Sequence, residues 1–396
     1  MQFPNLKKCL DNIILKYKTP GVDCIVYKNH EVLFRYYTGK SDLENNIAMN
    51  GNELYYIFSM TKMITCVCAL QLLEQGKYKL NDPVYKYLPE FKQMRVSSIE
   101  KNEDNSIEII TGKTNGESIE KSGDSYAKNP ITIWNLFTMT AGLDYDLKSK
   151  ALQKALSENK KSTRELVYAL SNTILEFEPG SRFKYSLCHD VLGALIEVWS
   201  NMSLGNYMKK NIFEPLGMND TFFSNQLNDE CLERMASRYV LNENKSVGRL
   251  PMECIYTLSE NYESGGAGLI SSTYDYALFL DALANNGIGK NGNKILSEET
   301  LKLMHTCQLK GVPLEEFSNL RPGYGYGLGV RTHIDKEKSG SLSPIGEFGW
   351  DGAAGALSIV DIKNNLSLTY FQHFHGWDIQ IQSDIRNALY TDLMSE

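Results

Sequence analysis

A serine and a lysine stand three residues apart in Ser59-Met60-Thr61-Lys62, where an apolar run begins. On a helix that spacing puts both side chains on one face, a turn apart, so the amine can reach the hydroxyl. A serine hydroxyl is a weak nucleophile until a neighbouring base takes its proton. The pair reads as an activated nucleophile or, on the motif and its setting alone, equally as a helix N-cap. The same spacing recurs at Ser98 with Lys101, Ser118 with Lys121, Ser125 with Lys128 and Ser157 with Lys160. Those pairs lie in polar stretches and are expected on solvated surface. Ser59 instead follows Tyr55-Tyr56-Ile57-Phe58 and precedes Met63, Ile64, Val67, Cys68, Leu70, Leu72 and Leu73, a wide helical stripe ending at Gly76. The N-terminus of such a helix offers free N–H groups and partial positive charge, which suit a developing oxyanion.

The elements that must position this pair follow from periodicity. Leu10, Ile13, Ile14 and Tyr17 mark a first amphipathic helix. Two β-rich runs, 21–27 and 31–37, joined by Lys28-Asn29-His30, predict a hairpin. Strand-like runs return at 326–333, 346–350, 356–361 and 366–373, and helices are expected at 163–171, 187–200, 273–285 and 378–393. A lone hairpin is marginal in water, so it should pair with the C-terminal strands in one antiparallel sheet flanked by helices. The expected architecture is α/β (α+β). Residues 1–80 and 256–396 would form a discontinuous sheet domain. Residues 81–255 would form an inserted, mostly helical domain in which 95–128 is a polar excursion, with the active site between the two.

Composition narrows the function classes. The 396 residues carry a formal charge of −7 and are 42% hydrophobic, enough for a large core. The acidic balance argues against a nucleic-acid surface, and no apolar run of about 18 residues is present to span a membrane. The start, Met1-Gln2-Phe3-Pro4, lacks a secretory pattern. None of the eight cysteines forms a Cys-x-x-Cys pair, so a reduced, cytoplasmic protein is expected. His373-x-His375 has no third ligand at suitable spacing and is expected as a solvated strand end; no metal and no cofactor are expected. His189 is expected at a helix start, not as a base. The Gly323-Tyr324-Gly325-Tyr326-Gly327 run lacks the strand–turn–helix context of a phosphate loop, and Gly-x-Ser-x-Gly is absent.

Three elements line up in order: Ser59-Met60-Thr61-Lys62, Tyr185-Ser186-Leu187 and Trp350-Asp351-Gly352. Together with Thr138-Met139-Thr140-Ala141-Gly142-Leu143, Glu178-Pro179-Gly180 and Phe213-Glu214-Pro215-Leu216-Gly217-Met218, this order resembles the serine β-lactamase and penicillin-binding fold family, class C-like branch. Tyr-Ser-Leu, the Asp190-Val191-Leu192-Gly193 run and the leading Trp350 resemble its β-lactamase-like carboxylesterases, often grouped as family VIII. The resemblance implies that Ser59 is acylated, Lys62 takes or relays its proton, and Tyr185 shuttles protons. It leaves open whether Lys62 or Tyr185 is the base. It also implies an oxyanion hole made by the backbone N–H groups of Ser59 and Ala353, with Leu187, Trp350, Asp351 and Gly352 on the substrate side.

Departures from the family pattern bear on substrate. Leu187 replaces an amide, and Trp350-Asp351 replace a cation and a hydroxyl that receive a carboxylate. Losing a cation and gaining an anion disfavours anionic ligands, so a small neutral ester is expected over a lactam or amide substrate. Asp351 reads either as a receiver of a substrate ammonium, as an aminopeptidase needs, or as a turn residue before Gly352. β-Lactamase, D-aminopeptidase and DD-peptidase activities remain alternatives, as does a non-catalytic binding module. Oligomeric state is open.

Overall fold

The N-terminal hairpin and the C-terminal strands do close one sheet. The computed structural model describes residues 2–97 and 125–395. The span 98–124, most of the expected polar excursion, lies outside them, together with the Ser98 and Ser118 pairs. At its edges Arg95–Val96 pairs antiparallel with Ser125–Tyr126. The remaining decoys, Ser125 with Lys128 and Ser157 with Lys160, are exposed as expected.

Helix α1 (Pro4–Tyr17) leads into β1 (Gly21–Lys28), β2 (Glu31–Asp42) and β3 (Ile47–Ala48). Asn29 and His30 turn the hairpin with φ of 51° and 66°, the left-handed pair that matches strand twist in a two-residue turn. Helices α2 (Thr61–Glu74), α3 (Cys188–Ser200) and α4 (Thr273–Ala284) follow. Then come β4 (Tyr324–Tyr326), β5 (Arg331–His333), β6 (Phe348–Gly349), β7 (Leu357–Asp361), β8 (Leu366–Phe371) and helix α5 (Gln380–Met394). The sheet order is β4-β5-β6-β7-β8-β1-β2-β3, antiparallel throughout.

Strand periodicity decides what covers each face. Val22, Cys24 and Val26 of β1, with Leu357, Ile359 and Leu368, pack under Leu6, Leu10 and Ile13 of α1 and Ile381, Ile385 and Leu389 of α5. Each such aliphatic side chain contributes about 2 kcal/mol by leaving water. The alternate residues Ile25 and Tyr27 meet Ala277 of α4 on the other face. A second apolar cluster runs without a break from Ile64 and Val67 of α2 to Val191 and Leu195 of α3.

Two strand expectations are corrected. The run 326–333 is two strands: Gly329 takes φ +85° and Gly327 N–H donates to Val330 O, so the chain reverses between β4 and β5. The run 366–373 ends at Phe371; Phe374–His375 leaves the sheet and pairs parallel with Tyr239–Leu241. All eight cysteines are free thiols. Among the described residues no helix is long and apolar enough to cross a membrane.

Candidate active site

A short sheet outside the main one delivers Ser59. Leu54–Tyr56 pairs with Leu269–Ser272, and Ile57 N–H donates to Leu269 O at 3.1 Å. The backbone then breaks: Phe58 has φ +47°, a conformation costing an L-residue roughly 1 kcal/mol. Packing imposes it, because the Phe58 ring is 1% exposed, with Tyr256 and His375 edge-on to it and the Arg238 guanidinium nearby. Ser59 follows in the 3₁₀ turn Phe58–Met60, which runs into α2. No side chain caps the start of α2. The N-cap reading therefore fails, and the Ser59 hydroxyl is left to other partners.

Those partners are Lys62 and Tyr185. Lys62 Nζ is 3.4 Å from Ser59 Oγ, 3.4 Å from Tyr145 OH and donates to Gly266 O at 2.7 Å. The lysine is fully buried, and desolvation brings its pKa down to about 8 despite the opposing charge of Asp190. Its Nζ lies 4.6 Å from the centroid of the Tyr185 ring and 5.1 Å from that of Tyr145. The Tyr185 oxygen is hydrogen-bonded by Ser59 and receives the Trp350 indole N–H at 3.2 Å; burial pushes its phenol pKa far up. Trp350 also stacks on Tyr185, with centroids 5.6 Å apart. Its indole is 7% exposed, so this residue, expected on the substrate side, orients Tyr185.

Tyr145 is the residue that sequence reasoning missed. It stacks on Tyr185 at 5.6 Å and 12° and meets Tyr256 edge-on. Its position two residues beyond Thr138-Met139-Thr140-Ala141-Gly142-Leu143 was the available signal. Lys184 binds Asp144 at 3.0 Å and Glu176 at 2.5 Å, tying the two tyrosine-bearing segments together.

The third motif closes against the serine turn. A Cβ on Gly352 would stand 2.8 Å from Ile57 O, so only glycine allows the approach that sets Ala353 beside Phe58 and Ala354. Asp351 is not an open anion. Its Oδ2 accepts from Arg321 at 2.5 Å, and both side chains are largely buried. This corrects both the expected repulsion of anions and the expected ammonium receiver, since Arg321 already balances the charge. Leu187 is 3% exposed and belongs to the main core at the start of α3, away from the substrate-facing role expected of it.

Among the histidines, the reading of His189 holds and that of His373 and His375 is corrected. His189 does sit at the start of α3, but buried against Cys66, and desolvation lowers its pKa to about 3. His373 is no solvated strand end. It is 5% exposed, its Nδ1 donates to Ala236 O at 2.6 Å, and its ring packs on Tyr55, Tyr56 and Phe58. Burial, reinforced by Arg238, lowers His373 to about 3 and His375 to about 4. The pair buttresses the strained Phe58 turn. Among the described residues no three His, Cys, Asp or Glu side chains are grouped to hold a metal.

The family profile described as Beta-lactamase matches residues 6–388. The chain belongs to the beta-lactamase family. This serine hydrolase family includes esterases, acyltransferases and carboxypeptidase-like proteins. The chain is 27% identical over 363 residues to Protein Rv1367c of Mycobacterium tuberculosis, across 89% of this chain and 86% of that protein. Among solved structures it is similar to EstCE1, a hydrolase with promiscuous acyltransferase activity, with TM-score 0.77, 22% identity and coverage of 98% and 97%. It is also similar to simvastatin synthase (LovD) from Aspergillus terreus, with TM-score 0.77, 20% identity and coverage of 99% and 98%. These structural likenesses establish the antiparallel-sheet fold of the family.

Proposed function

We propose that this protein hydrolyses small neutral esters through an acyl-enzyme at Ser59. The observation that carries the reading is Lys62: a fully buried amine with a pKa near 8, within 3.4 Å of the serine oxygen. Near that pH a substantial fraction is the free amine, whereas burial holds the Tyr185 phenol protonated. Lys62 is therefore the base and Tyr185 the relay. The Ser59 proton passes to Lys62 as Oγ attacks the ester carbonyl. Tyr185 gives its proton to the departing alkoxide and is reprotonated from Lys62. Water then attacks the acyl group by the reverse route. The N–H groups of Ser59 and Ala353 are the proposed oxyanion donors.

Two features support a neutral substrate. Arg321 is held by Asp351, while Trp350 and the half-buried Tyr145 and Tyr256 give the surroundings aromatic walls. Wild-type protein should turn over p-nitrophenyl butyrate with higher kcat/KM than a cephalosporin, a D-aminoacyl amide or a peptide ending in D-Ala-D-Ala. Faster cephalosporin or peptide turnover overturns the ester preference. Turnover of none of them, with a ligand bound, favours a binding module.

A further inference from the structure

Lys62 is buried with a carbonyl and hydroxyls around it, yet a carboxyl group lies just behind that shell. Asp190, fully buried in the first turn of α3, uses only one of its oxygens. Oδ1 accepts Tyr262 O–H at 2.7 Å, Ser264 O–H at 2.6 Å and Gly266 N–H at 3.4 Å. Oδ2 is buried with no hydrogen-bond partner. Such an orphaned oxygen is costly unless a charge compensates it. Gly266 shows where it points. A Cβ added there would stand 2.5 Å from Asp190 Oδ2 and 3.3 Å from Lys62 Nζ, so the missing side chain leaves the notch between them open. The carbonyl of the same glycine receives Lys62 at 2.7 Å.

We propose that Asp190 is a positioning residue for the Ser59–Lys62 pair: through Oδ1 it fixes the Tyr262–Gly266 loop that holds the lysine, and through Oδ2, across the Gly266 notch, it sets the lysine's proton affinity. This deepens the acyl-serine reading and rests on it. The other titratable groups facing Lys62 are Tyr145 and Tyr185 from the loops, Cys66 on α2, and Cys188 and His189 on α3. Burial pushes both tyrosines and both thiols up, and His189 is driven down to about 3, so all five are neutral at pH 7. Asp190 is left as the opposing charge. It keeps the buried lysine from discharging completely, so that a proton taken from Ser59 can be held and returned.

The test is the pH dependence of Ser59 phosphonylation by a fluorophosphonate, which needs no assumed substrate. In wild type the rate should climb with an acidic limb set by Lys62. Asp190→Asn keeps shape and an acceptor oxygen but removes charge. The limb should move to lower pH by about one unit, because an opposite charge at close range no longer favours the ammonium. Gly266→Ala, which crowds Oδ2 away from the amine, should move it the same way by a smaller amount, and decides the matter if Asp190→Asn does not fold. A uniformly slower reaction with the limb unmoved in the folded variants overturns the positioning role and leaves acylation intact. No wild-type phosphonylation at any pH overturns the acyl-serine reading itself.

Discussion

Two buried charge clusters in this protein are built on opposite rules. Beside strands β5 and β6, Arg331 and Arg386 share Glu347, with nitrogen–oxygen distances of 3.2 and 3.4 Å, and Ser343 adds a hydroxyl to the carboxylate. Beside Ser59, Lys62 meets a carbonyl and hydroxyls, and its balancing carboxyl stands off across a glycine. Paired arginines stay charged and cement the fold. A lysine without a contacting anion discharges near neutrality, a liability for stability and an asset for proton transfer. A buried cation thus serves structure in one place and, on the proposed reading, chemistry in the other.

The sharpest way to break that contrast is Lys62→Met, of similar volume. Turnover of p-nitrophenyl butyrate should fall about a thousandfold or more, while the urea midpoint should fall only modestly, because the desolvation cost of the buried ammonium is removed with it and Asp190 Oδ1 keeps its three donors. A large loss of stability would make Lys62 structural after all. Glu347→Gln should do the reverse. It strands two buried guanidinium groups, so stability should drop by about 3 kcal/mol, with kcat per folded molecule within a few-fold of wild type.

The buried histidines sharpen the structural side. Folded His189 and His373 titrate near 3 and His375 near 4, below an unfolded value of about 6.5. As pH falls through that unfolded value, the unfolded chain takes up protons that the native state refuses. Unfolding free energy should therefore fall by about 2 kcal/mol per histidine between pH 7 and 5. Denaturant titrations at both pH values check this, and a flat profile contradicts it. The smallest effect concerns Asp351→Asn, which frees Arg321. The preference for neutral over anionic esters should narrow about tenfold, near 1.4 kcal/mol in kcat/KM. No narrowing would mean that Arg321 does not face substrate.

The Ser59–Lys62 juxtaposition was legible because its signals are local: a serine, a lysine one turn on, and an apolar stripe behind them. Tyr185 was legible through motif order, and the sheet through the need to partner a lone hairpin. What sequence hid are contacts whose partners lie far apart in the chain. Arg321 and Asp351 are 30 residues apart, and Lys62 and Tyr145 are 83 apart. Nothing local tells an open anion from a paired one, or a stacked tyrosine from a surface one. His373 misled for the same reason: strand ends are usually wet, and only the tertiary packing of Phe58 and Tyr239–Leu241 covers this one. The hairpin at 327–330 was hidden in an apolar run, where Gly327 and Gly329 were the local clues and Gly329 takes the left-handed region.

If Ser59, activated by Lys62, is the acylated residue, a fluorophosphonate at pH 8 should mark it on the wild-type protein. Peptide mass spectrometry should find one adduct, on the peptide carrying Ser59, lost in Ser59→Ala and strongly slowed in Lys62→Met. A folded, unmodified Ser59, or an adduct on another residue, would contradict that assignment.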